Sequence, residues 1–297
     1  VFLGGGASLQ FCMVPMNLLD EKAHADYTDT GVWAAKAIKE AKRFGTVNVV
    51  SSSKADVYNH IPKDFQQTEG ATYLHVTSNN TIYGTQWKEF PKAATYLVAD
   101  MSSDILSRKI NVSDFGLIYA GAQKNMSCAG VTLAIIRKDV LGKVERSIPT
   151  MLDYATHIPE HSMFNTPPVF PIYVMNRTLA WLKENGGVSA MELLNNKKSG
   201  LLYEAIDNSK LFVGTAAKED RSTMNVPFIF NKESVAAEKA DELQKEFLAF
   251  TKERGLEQLK GHRSVGGFRA SIYNAMPMEG VEALVSAMAD FEKKILG

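Results

Sequence analysis

The sequence predicts an α/β protein. A large N-terminal domain, residues 1–185, carries a mostly parallel mixed sheet covered by helices, and a smaller α+β domain follows over residues 186–297. Three observations predict this. Several runs of strand length are apolar on both faces, as strands sandwiched between helices must be. Segments with helical apolar spacing lie among them. From Phe170 the texture changes to long helical segments broken at Gly186-Gly187, which marks the domain boundary.

Taken in order, Val1-Phe2-Leu3 reads as the end of a buried strand running into Gly4-Gly5-Gly6. A domain rarely begins inside a core strand, so a preceding segment is expected. Leu9 to Leu19 is apolar on several faces, with Ser8 as a helix cap and Pro15 as an interruption. Val32 to Phe44 has helical spacing and stops at Gly45, a C′ glycine. Strand-length runs follow at Thr46 to Val50, Thr72 to Thr77, Ala94 to Ala99, Phe115 to Tyr119 and Val131 to Ile136. In the second part, Tyr173 to Glu184, Val188 to Ile206, Ser234 to Arg254 and Met278 to Leu296 read as helices. Asn225 to Phe230 and Phe268 to Tyr273 read as strands.

Composition excludes several functions. The 33 Lys plus Arg balance 33 Asp plus Glu, so no net field draws the chain to nucleic acid or an anionic membrane. Anion specificity must then come from a few placed residues. Cys12 and Cys128 form no CxxC and have no zinc-like His spacing, so no metal site is expected and a reducing, cytoplasmic setting fits. No apolar run reaches the length of a membrane span.

The chemistry gathers around Tyr119-Ala-Gly-Ala-Gln-Lys124-Asn, where small residues at a strand end leave room for a planar group beside a lysine amine, although an ordinary exposed lysine after a strand is the commoner reading of the segment alone. Asp100 follows the strand Tyr96-Leu-Val-Ala, at the point where an α/β sheet presents residues to ligands, and can pair with a pyridinium nitrogen or cap the Ser102-Ser103 turn. Gly4-Gly5-Gly6-Ala7-Ser8 before a helix offers N–H groups to a phosphate, though it is not a nucleotide P-loop. Trp33 can stack on a ring and Thr81 can reach a ring oxygen, but core and turn roles are the commoner ones for such residues.

The motifs GGGASLQFCMVPMNLL, ADYTDTGVWAAKAIKEAKRFG, HVTSNNTIYG, ADMSSDILSR, YAGAQKN, MFNTPPVFPIY and GHRSVGGFRASIYNAMP, in this order, resemble the phosphoserine aminotransferase family of class-V, fold-type-I pyridoxal 5′-phosphate (PLP) enzymes. The resemblance implies that Lys124 matches the Schiff-base lysine, with Gln123, Ala7 and Ser8 at the cofactor phosphate. Trp33 matches the stacked aromatic, Asp100 the pyridinium partner and Thr81 the neighbour of the ring hydroxyl. Asn165 and Thr166 match a pair that reaches the PLP phosphate of the other subunit, which implies a homodimer with shared sites. Arg269 matches the grip on the substrate α-carboxylate, and His262 with Arg263 the pair for the phosphate of phosphoserine or the side-chain carboxylate of glutamate. Two departures, Asn79-Asn80-Thr81-Ile82 for Asn-Glu-Thr-Ile and Ser127-Cys128-Ala129-Gly130 for Gly-Pro-Ala-Gly, leave the implied contacts in place. The family's N-terminal Ser-His-Arg stretch has no counterpart. Two alternatives stand beside the implied transamination of L-glutamate and 3-phosphohydroxypyruvate in serine biosynthesis: a non-catalytic, truncated PLP-binding dimer, and a related class-V aminotransferase with another substrate.

Overall fold

In the computed structural model, which describes residues 1–297, strand β1 (Phe2–Leu3) runs through a glycine turn into helix α1 (Gly6–Leu18). The helix starts at Gly6, earlier than Ser8, and Pro15 lies inside it instead of breaking it. Proline forfeits one backbone bond, but the buried side of the helix, with Phe11, Met13, Val14 and Leu18, packs into the core, and that burial outweighs the loss. Next come β2 (His24–Asp29), α2 (Val32–Ala41), β3 (Thr46–Ser52), β4 (Leu74–Thr77), the hairpin β5–β6 (Asn79–Asn80, Thr85–Gln86), β7 (Leu97–Asp100), β8 (Phe115–Gly121) and β9 (Thr132–Ile136).

The sheet order is β1-β9-β8-β7-β4-β2-β3. Its five strands from β8 to β3 are mutually parallel, and β9 and β1 add antiparallel pairings at one edge. The mixed, mostly parallel sheet expected from the sequence is therefore present. Strands β4, β7 and β8 are buried throughout, as both-face apolar runs should be, whereas edge strand β3 is half open to solvent. Strand β2 has no counterpart among the predicted runs, because His24-Ala-Asp-Tyr-Thr-Asp29 looks polar. Its buried carboxylates find partners across the fold: Asp26 accepts from the Thr68 N–H at 2.6 Å, and Asp29 Oδ2 accepts from the Ser52 hydroxyl at 3.0 Å, while Asp29 Oδ1 is left without one.

The short helix α3 (Tyr154–His157) and the long helices α4 (Val169–Glu184) and α5 (Gly187–Asn208) lead to a second, three-stranded antiparallel sheet, β10 (Phe212–Gly214), β11 (Asn225–Phe230) and β12 (Phe268–Ser271). Helices α6 (Ala237–Lys252) and α7 (Met278–Leu296) complete it. This part has its own core, in which Phe212, Phe228, Phe247, Phe268 and Phe291 interlock with ring centroids 4.8–6.1 Å apart.

The β5–β6 hairpin is the joint between the two parts. Gly84 at its turn has φ +75°, and a Cβ there would lie 2.2 Å from Cδ of Pro227 on β11. Gly142 has the same φ with nothing near it. Gly84→Ala is accordingly expected to cost about 2–4 kcal/mol, against about 1 kcal/mol for Gly142→Ala, in urea unfolding. Equal losses would show that the hairpin does not bear on β11.

Candidate active site

Parallel strands β4, β7 and β8 end together, with Thr77 opposite Asp100 and Asp100 opposite Tyr119 in register. A ligand site at the carboxyl ends of such strands is the general expectation for an open α/β sheet. A cavity of about 240 Å³ opens there, lined by Ala7, Ser8, Trp33, Thr81, Asp100, Gln123 and Lys124 among others. Apart from Asn165 and Thr166, every residue expected at the cofactor is thus brought into one pocket.

Asp100 is the electrostatic centre. Its side chain is buried, and Oδ1 accepts from the Ser102 N–H at 2.9 Å and from the Ser102 hydroxyl at 2.6 Å. The turn-capping role and the ligand role are both open to it, because no hydrogen bond reaches Oδ2 and no basic side chain pairs with it. Burial pushes the Asp100 carboxyl up to about 6, with the Ser102 bonds opposing the shift and Asp104 adding to it. His75, on the neighbouring strand, supplies no cation: its Nε2 meets the Tyr119 hydroxyl at 2.9 Å, and burial drives it down to about 3, so it is neutral. A buried carboxylate facing a cavity without a countercharge suits a ligand that brings one.

Opposite it, the first turn of α1 presents the backbone N–H groups of Gly6, Ala7 and Ser8, with no acidic residue in that turn to compete for them. The Ser8 hydroxyl makes no cap bond. This end of the cavity suits an anionic arm. The Trp33 indole N–H donates to the Thr81 hydroxyl at 3.1 Å, which fixes both side chains. Lys124 is exposed in the cavity, with Nζ 5.4 Å from the ring centroid of Tyr273. Tyr273 comes from beyond β12, and its position was invisible in the sequence, as were those of Phe11, Thr77 and Ser103, which also line the cavity. Tyr273, Phe11, Thr77, Ser103 and Asn79, which also lines the cavity, all fall inside the quoted motifs, but nothing in those motifs marks them as neighbours of Lys124.

The other expected residues fall elsewhere. Arg269 on β12 reaches the rim, donating from Nη1 to the Thr81 carbonyl at 3.2 Å. His262 and Arg263 sit in the turn that precedes β12, outside the cavity lining. Asn165 and Thr166 line a different cavity, beside Gly4 and Leu9. Within one chain they do not meet the pocket that holds Lys124.

The fold and the pocket together define a fold-type-I aminotransferase. Residues 1–284 match the family model described as Aminotransferase class-V, and the chain belongs to that family. The phosphoserine aminotransferase of Parabacteroides distasonis is 58% identical over 294 residues, which span 99% of this chain and 81% of that protein. A solved phosphoserine aminotransferase described for radiation damage of its Schiff base superposes with a TM-score of 0.93 at 50% identity, over 99% of this chain and 81% of that one. The PLP-bound enzyme of Trichomonas vaginalis gives 0.90 at 41% identity, over 97% and 81%.

The Asp100 carboxyl makes stability depend on pH. Its folded value of about 6 lies above the unfolded value of about 3.9, so the contribution is full below about pH 4 and is lost as pH rises through about 6. In cofactor-free protein, Asp100→Asn should remove this loss and gain about 2–3 kcal/mol on the wild type between about pH 4 and about pH 7.5 in urea unfolding. Parallel pH profiles would mean that the carboxyl is not desolvated.

Proposed function

We propose that this chain is a phosphoserine aminotransferase, moving an amino group between L-glutamate and 3-phosphohydroxypyruvate to give 2-oxoglutarate and O-phospho-L-serine in serine biosynthesis. The observation that carries the reading is the unpaired Oδ2 of the buried residue Asp100, open to the same cavity as Lys124 and the α1 N-terminus. PLP suits all three: a protonated ring nitrogen for Asp100, an aldehyde for Lys124 and a phosphate for the helix. When bound, PLP supplies a carbonyl that takes up the amino group and a ring that accepts the electron pair freed at the substrate α-carbon.

The chain's own residues do the rest. Asp100 would hold the ring nitrogen protonated, Ala7, Ser8 and Gln123 would hold the phosphate, and Trp33 and Thr81, already bonded to each other, would hold the ring. Lys124 anchors the cofactor and, once its amine is free, takes the substrate α-proton at Nζ and hands it back. Arg269 grips the α-carboxylate through two parallel bonds, and His262 with Arg263 takes the second anionic group. The β5–β6 hairpin lines the cavity through Asn79, whose buried side chain donates to Ser103 and Asn225.

Asn165 and Thr166 act in a homodimer, on the partner's cofactor phosphate. Support comes from the apolar surface next to them: Met163, Phe164, Val169, Phe170 and Tyr173 are all 47–68% exposed, more than an isolated chain should leave in water. No helix is long and apolar enough to cross a membrane, and both cysteines are free, in keeping with our assignment to the cytoplasm.

Borohydride reduction of cofactor-loaded protein followed by peptide mass spectrometry is expected to put the adduct on Lys124 and to find none in Lys124→Ala. An adduct on another lysine would refute the assignment. For the dimer, Phe170→Glu should weaken self-association by about tenfold or more and lower cofactor retention with it, as read by light scattering and absorbance. An unchanged dimer would move the interface elsewhere.

A further inference from the structure

Val57 and Tyr58 are consecutive non-glycine residues in the left-handed region, with φ 53° and 57°. A β-branched residue in that conformation is an outlier, and such strain persists only where the surroundings impose it. Here Val57 is turned out to solvent at 63% exposure while Tyr58 is turned in at 7%. The Tyr58 N–H is held by the Ser53 carbonyl at 2.8 Å, its hydroxyl donates to Asp29 Oδ2 at 3.3 Å, and its ring lies 4.9 Å from that of Tyr83. The strained turn serves to deliver one ring to one place.

That place is a small satellite core of Tyr58, Ile82 and Tyr83, onto which Val32 and Val265 pack. Each neighbour belongs to the site described above. Val32 precedes Trp33, Ile82 follows Thr81, and Val265 is the one apolar side chain in the turn His262-Arg-Ser-Val-Gly266. The turn has a tight neck: Gly261 N–H bonds the Gly267 carbonyl at 2.8 Å, and a Cβ on Gly261 would come within 2.0 Å of the Gly266 carbonyl oxygen. Within it, the Val265 and Gly266 N–H groups close on the His262 carbonyl at 2.9 and 2.8 Å. Fixed at its neck and closed on itself, the turn meets the large domain through Val265, which packs on the cluster, and through Ser264, which hydrogen-bonds Tyr83.

We propose that the Tyr58–Ile82–Tyr83 cluster, by gripping Val265, is the element that positions His262 and Arg263 at a fixed reach from the cofactor pocket and so selects amino donors with a second anionic group. Val265 and Tyr58 are positioning residues. This rests on the proposed function. It adds that selectivity is set by an apolar contact remote from the charges that bind substrate.

Val265→Ser removes the foot of the turn, and Val265→Ile restores it. With O-phosphoserine and alanine as donors, the serine variant should raise KM for O-phosphoserine about fivefold, leave its kcat nearly unchanged and leave alanine turnover unaltered, with the isoleucine variant near wild type. In cofactor-free protein, the Val265 and Gly266 amides should exchange with deuterium about fivefold faster in the serine variant alone. Parallel loss with both donors, no loss with either, equal behaviour of the two variants, or unchanged exchange would overturn the inference. A wild type that does not prefer O-phosphoserine to alanine would instead overturn the functional reading on which it rests.

Discussion

One buried charge without a partner organises this molecule. Asp100 sits at the end of a strand hidden on both faces, spends one oxygen on Ser102 and leaves the other facing a cavity. A desolvated carboxylate is unfavourable unless a cation joins it. Nothing in the chain provides that cation, since His75 is neutral and neither Lys124 nor any other basic side chain forms an ion pair with Asp100. An uncompensated carboxylate of this kind suits a cationic ring, and in the function proposed above it would pair with the protonated ring nitrogen of the cofactor.

The remaining structure buries this residue and brings the other groups to the same cavity. Parallel registry of β4, β7 and β8 brings Thr77, Asp100 and Tyr119 level. The step from β1 into α1 aims a helix N-terminus at the same space. A second layer of control comes from the small sheet: Asn225 takes a bond from Asn79 at 2.9 Å and gives bonds to Ser271 at 3.3 Å and Tyr273 at 3.1 Å. Lys198, fully buried, donates to the carbonyls of Ile272, Tyr273 and Met276 at 2.8–3.1 Å, fixing the chain just beyond Arg269. These polar networks join the two cores beside the cavity that holds Lys124 and Asp100.

Much of this could be read from the residues alone. Asn225–Phe230 and Met278–Leu296 have the bounds that periodicity and caps indicate, and the buried runs at β4, β7 and β8 are apolar enough to declare themselves. Strand β2 was concealed because its polar residues are paired across the fold, information absent from any local window. Helix α1 runs through Pro15 for the same reason, tertiary packing overriding local propensity. In the site, Lys124 and Asp100 were legible as strand-end residues with small or turn-forming neighbours, and the order of motifs carried the rest. Tyr273, Ser103 and Phe11 were not, because they become neighbours of Lys124 only through the crossing of chain segments far apart in sequence. The strained Tyr58 was equally hidden, since neither Val57 nor Tyr58 belongs to a residue type that announces a left-handed turn.

The measurement that bears most directly on this account is the nitrogen NMR shift of ring-labelled PLP bound to the protein, followed from mildly acidic to mildly alkaline solution. If Asp100 supplies the missing half of an ion pair, the ring nitrogen stays protonated across that range and loses its proton in Asp100→Asn. A ring nitrogen that is unprotonated in the wild type, or that remains protonated without the carboxylate, would contradict the account.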